Sequence, residues 1–150
     1  MIHKPHIHQE LASDKKYNRS LSKLSSLIEA INQKNVPQSF SDLSNQKILE
    51  LDRLTGPVRK HRKALDQTYQ DLMTRARKEL NLVTKNYYQN LWMALGLSVF
   101  GVPMGIGLSF ALRGDISLMG AFLAMGLPIG LAIGAGMDKK AAKEGRQLDI

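Results

Sequence analysis

The chain has 150 residues, no cysteine and a formal net charge of +8. The missing thiols exclude a disulfide framework, a thiol nucleophile and a cysteine-based metal centre. The charge is unevenly spread. Residues 1–90 carry 16 Lys or Arg against 9 Asp or Glu, a net of +7, whereas Arg113 and Asp115 are the only charges in residues 91–137. With 150 residues divided between a polar and an apolar part, neither is expected to bury a large core.

Residues 1–12 read as a flexible N-terminus, with Pro5 and no hydrophobic period. His3, His6 and His8 fall there with only Glu10 nearby, which suits adventitious metal binding, so no metal site and no cofactor is expected. The first 30 residues hold no apolar core of a secretory signal.

Residues 13–90 read as a cytoplasmic helical region. A first helix is expected over about 14–34, because Leu21, Leu24, Leu27, Ile28 and Ile31 recur at spacings of three and four. Pro37 breaks it. A second helix is expected over 41–55, with Ser41 as its cap and Leu43, Ile48, Leu51 and Leu54 as its apolar positions. Gly56-Pro57 ends it and starts a third. From there neither Gly nor Pro occurs until Gly96. Leu65, Tyr69, Leu72, Ala76, Leu80, Val83, Tyr87 and Leu91 mark one stripe at a spacing of about 3.67. One helix over 57–112 is therefore expected, its cytoplasmic part (57–90) continuous with a membrane span. Leu65, Leu72 and Leu80 are the candidate contacts of its cytoplasmic part, either within a small bundle, in a coiled coil with copies of the chain, or with another protein.

Arg59, Lys60, Arg62 and Lys63 form the densest basic cluster. It lies in the first turns of the third helix, where positive charge opposes the macrodipole by about 0.3–1 kcal/mol per exposed residue. A solvated face is the plain reading, and an acidic protein, nucleic acid or anionic lipid are the candidate ligands. No nucleic-acid motif accompanies the cluster. Lipid contact meets a geometric objection. On a straight helix about 27 residues separate Lys60 from Tyr87, roughly 40 Å, against a Debye length of about 8 Å.

Two uncharged runs follow, Leu91–Leu112 and Ile116–Met137. Each holds 22 residues, roughly 33 Å as a helix, enough for a hydrocarbon core of about 30 Å. They are read as transmembrane helices 91–112 and 116–137, joined by an external loop at 113–115 and followed by a cytoplasmic tail at 138–150. Tyr87, Tyr88 and Trp92 fit an interfacial belt. Lys and Arg flank both outer ends, which puts both termini in the cytoplasm of a bacterial inner membrane.

Gly126, Gly130 and Gly134 form GxxxGxxxG, and Gly101, Gly105 and Ser109 form a matching row in the first run. Such spacing places small residues on one helix face and lets backbones approach. The two rows are expected to pack within the hairpin, leaving Gly96, Gly107, Gly120 and Gly136 for contacts between hairpins. The stretch GLPIGLAIG followed by MDKKA resembles the glycine-zipper ends of small bacterial membrane proteins of unassigned function, over about residues 120–148. The resemblance implies close-packed membrane helices and no catalytic residue.

Neither run holds a carboxylate or histidine, which argues against ion-coupled transport and intramembrane proteolysis. Phosphate loops, triads and paired acids are missing too, so a non-enzymatic protein is expected. The leading reading is an all-α integral membrane protein that self-associates through small-residue faces and presents a basic helical module. A holin- or toxin-like pore former is the alternative, and a membrane-anchored binder of anionic lipid or nucleic acid is the third. The implied partners are the lipid bilayer, copies of the chain and a cytoplasmic protein.

Overall fold

The computed structural model describes residues 1–6, 9–111 and 117–150. For residues 9, 100, 101, 104, 105, 108, 109, 111 and 117–125 it describes the backbone alone. The fold is all-α apart from two strands of two residues each. It divides into two compact units, Met1–Leu82 with Leu148–Ile150, and Val83–Gln147.

Unit 1 is a three-helix bundle of α1 (Lys15–Asn32), α2 (Gln38–Asp52) and α3 (Val58–Leu80). Asp14 starts α1 by accepting the free N–H groups of Lys16 (2.8 Å) and Tyr17 (2.7 Å). The apolar positions Leu21, Leu24, Leu27, Ile28 and Ile31 are all buried. They meet Phe40, Ile48 and Leu51 of α2 and Leu65, Leu72 and Ala76 of α3 in one core. The Arg75 guanidinium lies 5.0 Å from the centre of the Phe40 ring, which lets a cation border the core over an aromatic face.

Three expectations are corrected here. Ser41 does not cap α2. The helix begins at Gln38 behind Pro37, and Ser41 sits a turn inside, where its hydroxyl accepts from the Met1 amino group at 3.3 Å. The earlier start turns Phe40 inward and leaves Leu43 exposed. Nor is the N-terminus loose. Ile2 is buried, and Asn32 both accepts its N–H (2.9 Å) and donates to its carbonyl (2.8 Å). Asn45 and Asp52 accept the N–H groups of His3 and His6. These side chains give an extended segment the backbone partners that a strand would otherwise supply.

The third correction concerns the long helix over 57–112. Instead α3 ends at Leu80, and Asn81 takes the left-handed conformation (φ 54°). The N–H groups of Asn81 and Leu82 both return to the Ala76 carbonyl, a helix-ending pair of bonds. Asparagine tolerates this conformation because its short polar side chain bonds locally. Asn86 does the same (φ 59°) before the next helix.

The two short strands, β1 (Val83–Thr84) and β2 (Gln147–Leu148), pair with each other, and within unit 2 the Val83 N–H donates to the Arg146 carbonyl at 3.0 Å. Helix α4 (Tyr87–Leu95) runs into a widened π segment (Gly96–Gly101) and then α5 (Val102–Ala111). The widening falls one turn before Pro103, whose missing N–H and bulky ring disrupt the normal ladder there. Helix α6 spans Ser117–Lys143, with Pro128 inside it. It ends at Gly145 (φ 68°), where the Arg146 N–H returns to the Ala141 carbonyl. The expected free tail at 138–150 is thus largely helix and cap.

Among the described residues no helix is long and apolar enough to cross a membrane. The first uncharged run is divided among α4, the π segment and α5. The described side chains of α6 run from Gly126 to Lys143 and include the charged Asp138-Lys139-Lys140 stretch. The span expected at 91–112 is interrupted by the π segment, the one expected at 116–137 falls within α6 from Ser117 on, and the loop at 113–115 lies outside the described residues.

Candidate functional site

The seam between α4 and α6 brings two helix backbones into direct contact. It is built from glycine, and it is antiparallel. Gly134 lies against Tyr88 and Gln89, Gly130 against Trp92 and Met93, and Gly126 against Gly96. Each step of four residues up one helix is matched by about four residues down the other, so one face of each helix stays in register. A Cβ on Gly130 would lie 2.2 Å from the Trp92 carbonyl oxygen, and one on Gly134 would lie 2.4 Å from the Gln89 Cα. A Cβ on Gly96 would lie 2.4 Å from the Gly126 oxygen. Backbone meets backbone at all three levels, so no rotamer relieves the clash. Dispersion and weak Cα–H···O contacts hold such a seam where water is scarce.

Asp138 closes it. The aspartate stands four residues beyond Gly134, on the same face of α6, and is only 7% exposed. Its two carboxylate oxygens accept the N–H groups of Tyr88 (3.1 Å) and Gln89 (2.9 Å). These amides belong to the first turn of α4, whose own N-cap, Asn86, contributes no side-chain bond. Thus α6 supplies the cap that α4 lacks, and its negative charge meets the positive end of the α4 dipole. Asp138→Asn keeps one acceptor oxygen but loses the charge. Thermal unfolding of unit 2 should fall by about 1–2 kcal/mol, and by more in Asp138→Ala, since the amides then have no partner. Equal stability of all three proteins would remove the capping role.

The aromatic residues sit beside this cap. The rings of Tyr87 and Tyr88 meet edge to face at 5.2 Å. The Trp92 indole N–H donates to the Met137 sulfur at 2.9 Å. Arg146 bonds Glu144 and Tyr88, and these partners, Glu144 first, hold its guanidinium above its ordinary pKa.

Gly126, Gly130 and Gly134 do line the seam, but they face Gly96, Trp92–Met93 and Tyr88–Gln89 rather than the expected row Gly101, Gly105 and Ser109, whose own surroundings lie outside the described residues. Gly96, assigned by the sequence to contacts between hairpins, is in the seam itself. Asp138 goes unnoticed in the sequence, although its signal is present as the fourth member of the row Gly126, Gly130, Gly134. Leu65 and Leu72 are buried in the unit 1 core and Leu80 packs at its edge, so they serve the bundle's own interior. Arg59, Lys60, Arg62 and Lys63 remain on the surface of α3, with Arg62 half-buried. Among the described residues no cluster of His, Asp and Glu is placed to hold a metal ion. Comparison with protein-family models, with curated proteins and with solved structures finds no match to this chain, and the seam's own geometry carries its interpretation.

Proposed function

We propose that the chain is a non-enzymatic integral membrane protein whose unit 2 is a glycine-seamed hairpin in a bilayer and whose unit 1 is a basic interaction module on the cytoplasmic side. One observation carries this reading. Between Leu91 and Met137 nine large apolar side chains are 37 to 83% exposed, Phe110 the most, and no charged residue accompanies them among the described residues. A seam that buries glycines leaves its aliphatic side chains facing outward. In water such a continuous apolar surface is rare on a monomer. In lipid it is the ordinary arrangement. The Ser98 hydroxyl is compatible with that medium, since it donates to the Ala94 carbonyl at 2.9 Å in the preceding turn. Together α4, the π segment and α5 provide 25 consecutive helical residues, about 37 Å of rise at the α-helical spacing.

With the Gly126 row occupied inside the hairpin, self-association falls to the outer faces. A Cβ at Gly107 or Gly136 meets nothing within 4 Å. Copies of the chain are the partners these faces suit.

The cysteine-free sequence offers a direct test. In native membranes, a single cysteine at Ile133, exposed in the fold, should resist a membrane-impermeant maleimide. One at exposed Lys139 should react readily. Equal labelling at the two positions would show that water, not lipid, covers Ile133, and the membrane reading would fall.

A further inference from the structure

The basic residues of unit 1 gather in a way their sequence positions conceal. One small cavity is lined by Tyr17 from the start of α1, Leu51 and Asp52 from the end of α2, and His61 and Leu65 from the start of α3. Helices α1 and α3 therefore begin at the same end of the bundle. The first half of α1 displays Lys15, Lys16, Arg19 and Lys23, all exposed. The start of α3 displays Arg59, Lys60, Arg62 and Lys63, and Arg53 follows α2 at this end. Nine cations thus share one end of a small bundle with four carboxylates, Glu10, Asp14, Asp52 and Asp66.

Two of those carboxylates are occupied, Asp14 capping α1 and Asp52 holding the His6 N–H. None of the nine cations forms an ion pair among the described residues. The pairs of unit 1 are Lys4–Glu29, Lys47–Glu50 and Arg75–Glu79. Only Lys60 reaches a fixed acceptor, the neutral Thr55 carbonyl at 3.2 Å. The arrangement concentrates unpaired positive charge where two helix dipoles already point their positive ends.

We infer that this end of unit 1 docks on an anionic lipid surface. The inference rests on the membrane reading, which puts a bilayer at high local concentration. In clusters of four to eight exposed cations near an anionic membrane, each residue contributes about fivefold in binding. The geometric objection to lipid required a straight helix from Lys60 into the bilayer, and the break at Asn81–Asn86 removes it. Nucleic acid suits the surface less well. The rings within the two rows, Tyr17 and His61, are buried, and both His61 ring nitrogens face carbonyls, of Leu54 and Pro57. Phosphates would find charge there, but neither helix row offers bases an exposed ring to stack on, and His6 at the bundle's end is a single exposed imidazole.

The test uses the full chain in nanodiscs of neutral lipid, offered vesicles of phosphatidylcholine with or without phosphatidylglycerol, with co-sedimentation as the readout. If the chain does not enter nanodiscs the membrane reading has failed, and the free chain is offered the same vesicles, so the two failures are distinguishable. Binding is expected only to anionic vesicles and should weaken as salt rises. K15Q/R19Q/K23Q and R59Q/R62Q/K63Q should each reduce it at least tenfold, with circular dichroism unchanged, and K34Q should leave it intact. Equal binding to neutral vesicles would overturn the inference. So would loss in the α3 triple alone, because the surface would then not span both helices, or binding to polyuridylate RNA in preference to vesicles.

Discussion

Gly130→Leu should separate α4 from α6. A Cβ at this position already lies 2.2 Å from a backbone oxygen and 2.8 Å from the carbonyl carbon of Trp92, and leucine adds three more carbons. Overpacking a well-packed site costs about 1–3 kcal/mol and occasionally more. Here the obstacle is backbone on a rigid helix, so the upper end is expected. Trp92 makes the result readable. It is the only tryptophan, its carbonyl touches Gly130, and its indole bonds Met137. Its emission should shift and its environment become heterogeneous in Gly130→Leu, while thermal unfolding in detergent moves down. Gly136→Ala, with open space around the added methyl, should match the parent protein. Unchanged emission and stability in Gly130→Leu would show that the seam does not hold the hairpin.

Leu72→Ala should destabilise unit 1 by about 2–5 kcal/mol, the usual range for a buried leucine reduced to alanine. Leu72 is almost fully buried in a core shared by all three helices. At about 0.05–0.15 kcal/mol per residue, a unit of this size has a total stability of roughly 4–13 kcal/mol. One cavity would therefore remove a large share of it. Amide hydrogen exchange along α1 and α3 should accelerate accordingly. Leu43→Ala is the matched control, because Leu43 is 51% exposed, and its cost should stay within about 0.5 kcal/mol. Similar costs for the two substitutions would mean that the core is not organised around α3 as described.

The contrast between those two leucines shows what the sequence could reveal. Spacings of three and four identified the buried face of α1, because Leu21, Leu24, Leu27, Ile28 and Ile31 leave no competing stripe. In α2 the pattern was ambiguous. Phe40, one position before the expected cap, turned inward, and that rotated Leu43 out to solvent. The stripe through α3 was also real as far as Leu80, but hydrophobic periodicity does not register a break made by asparagine. Asn81 and Asn86 stop one helix and precede another through their own backbone conformation, with no glycine or proline to advertise it. Small-residue spacing identified the α6 side of the seam, since four-residue steps in a helix fix a face. It missed Gly96 and Asp138 because the partner face depends on the offset between two helices, which no single-helix pattern contains. The basic end of unit 1 was half legible. The α3 cluster is contiguous, whereas its α1 counterpart joins it only through the up–down–up course of the bundle.

The cap on α4 also sets an order of events during synthesis. The amides of Tyr88 and Gln89 wait for a carboxylate 50 and 49 residues further along the chain. At about 5–20 residues per second, that is a delay of roughly 2–10 s. During it, α4 has been made before the glycine face it packs on and before the charge that finishes its first turn. Asp138 arrives after Gly126, Gly130 and Gly134, so the hairpin gains its fastener only after the whole glycine row has been made. A nascent chain stalled before that residue would hold two helices in contact with the lock still missing.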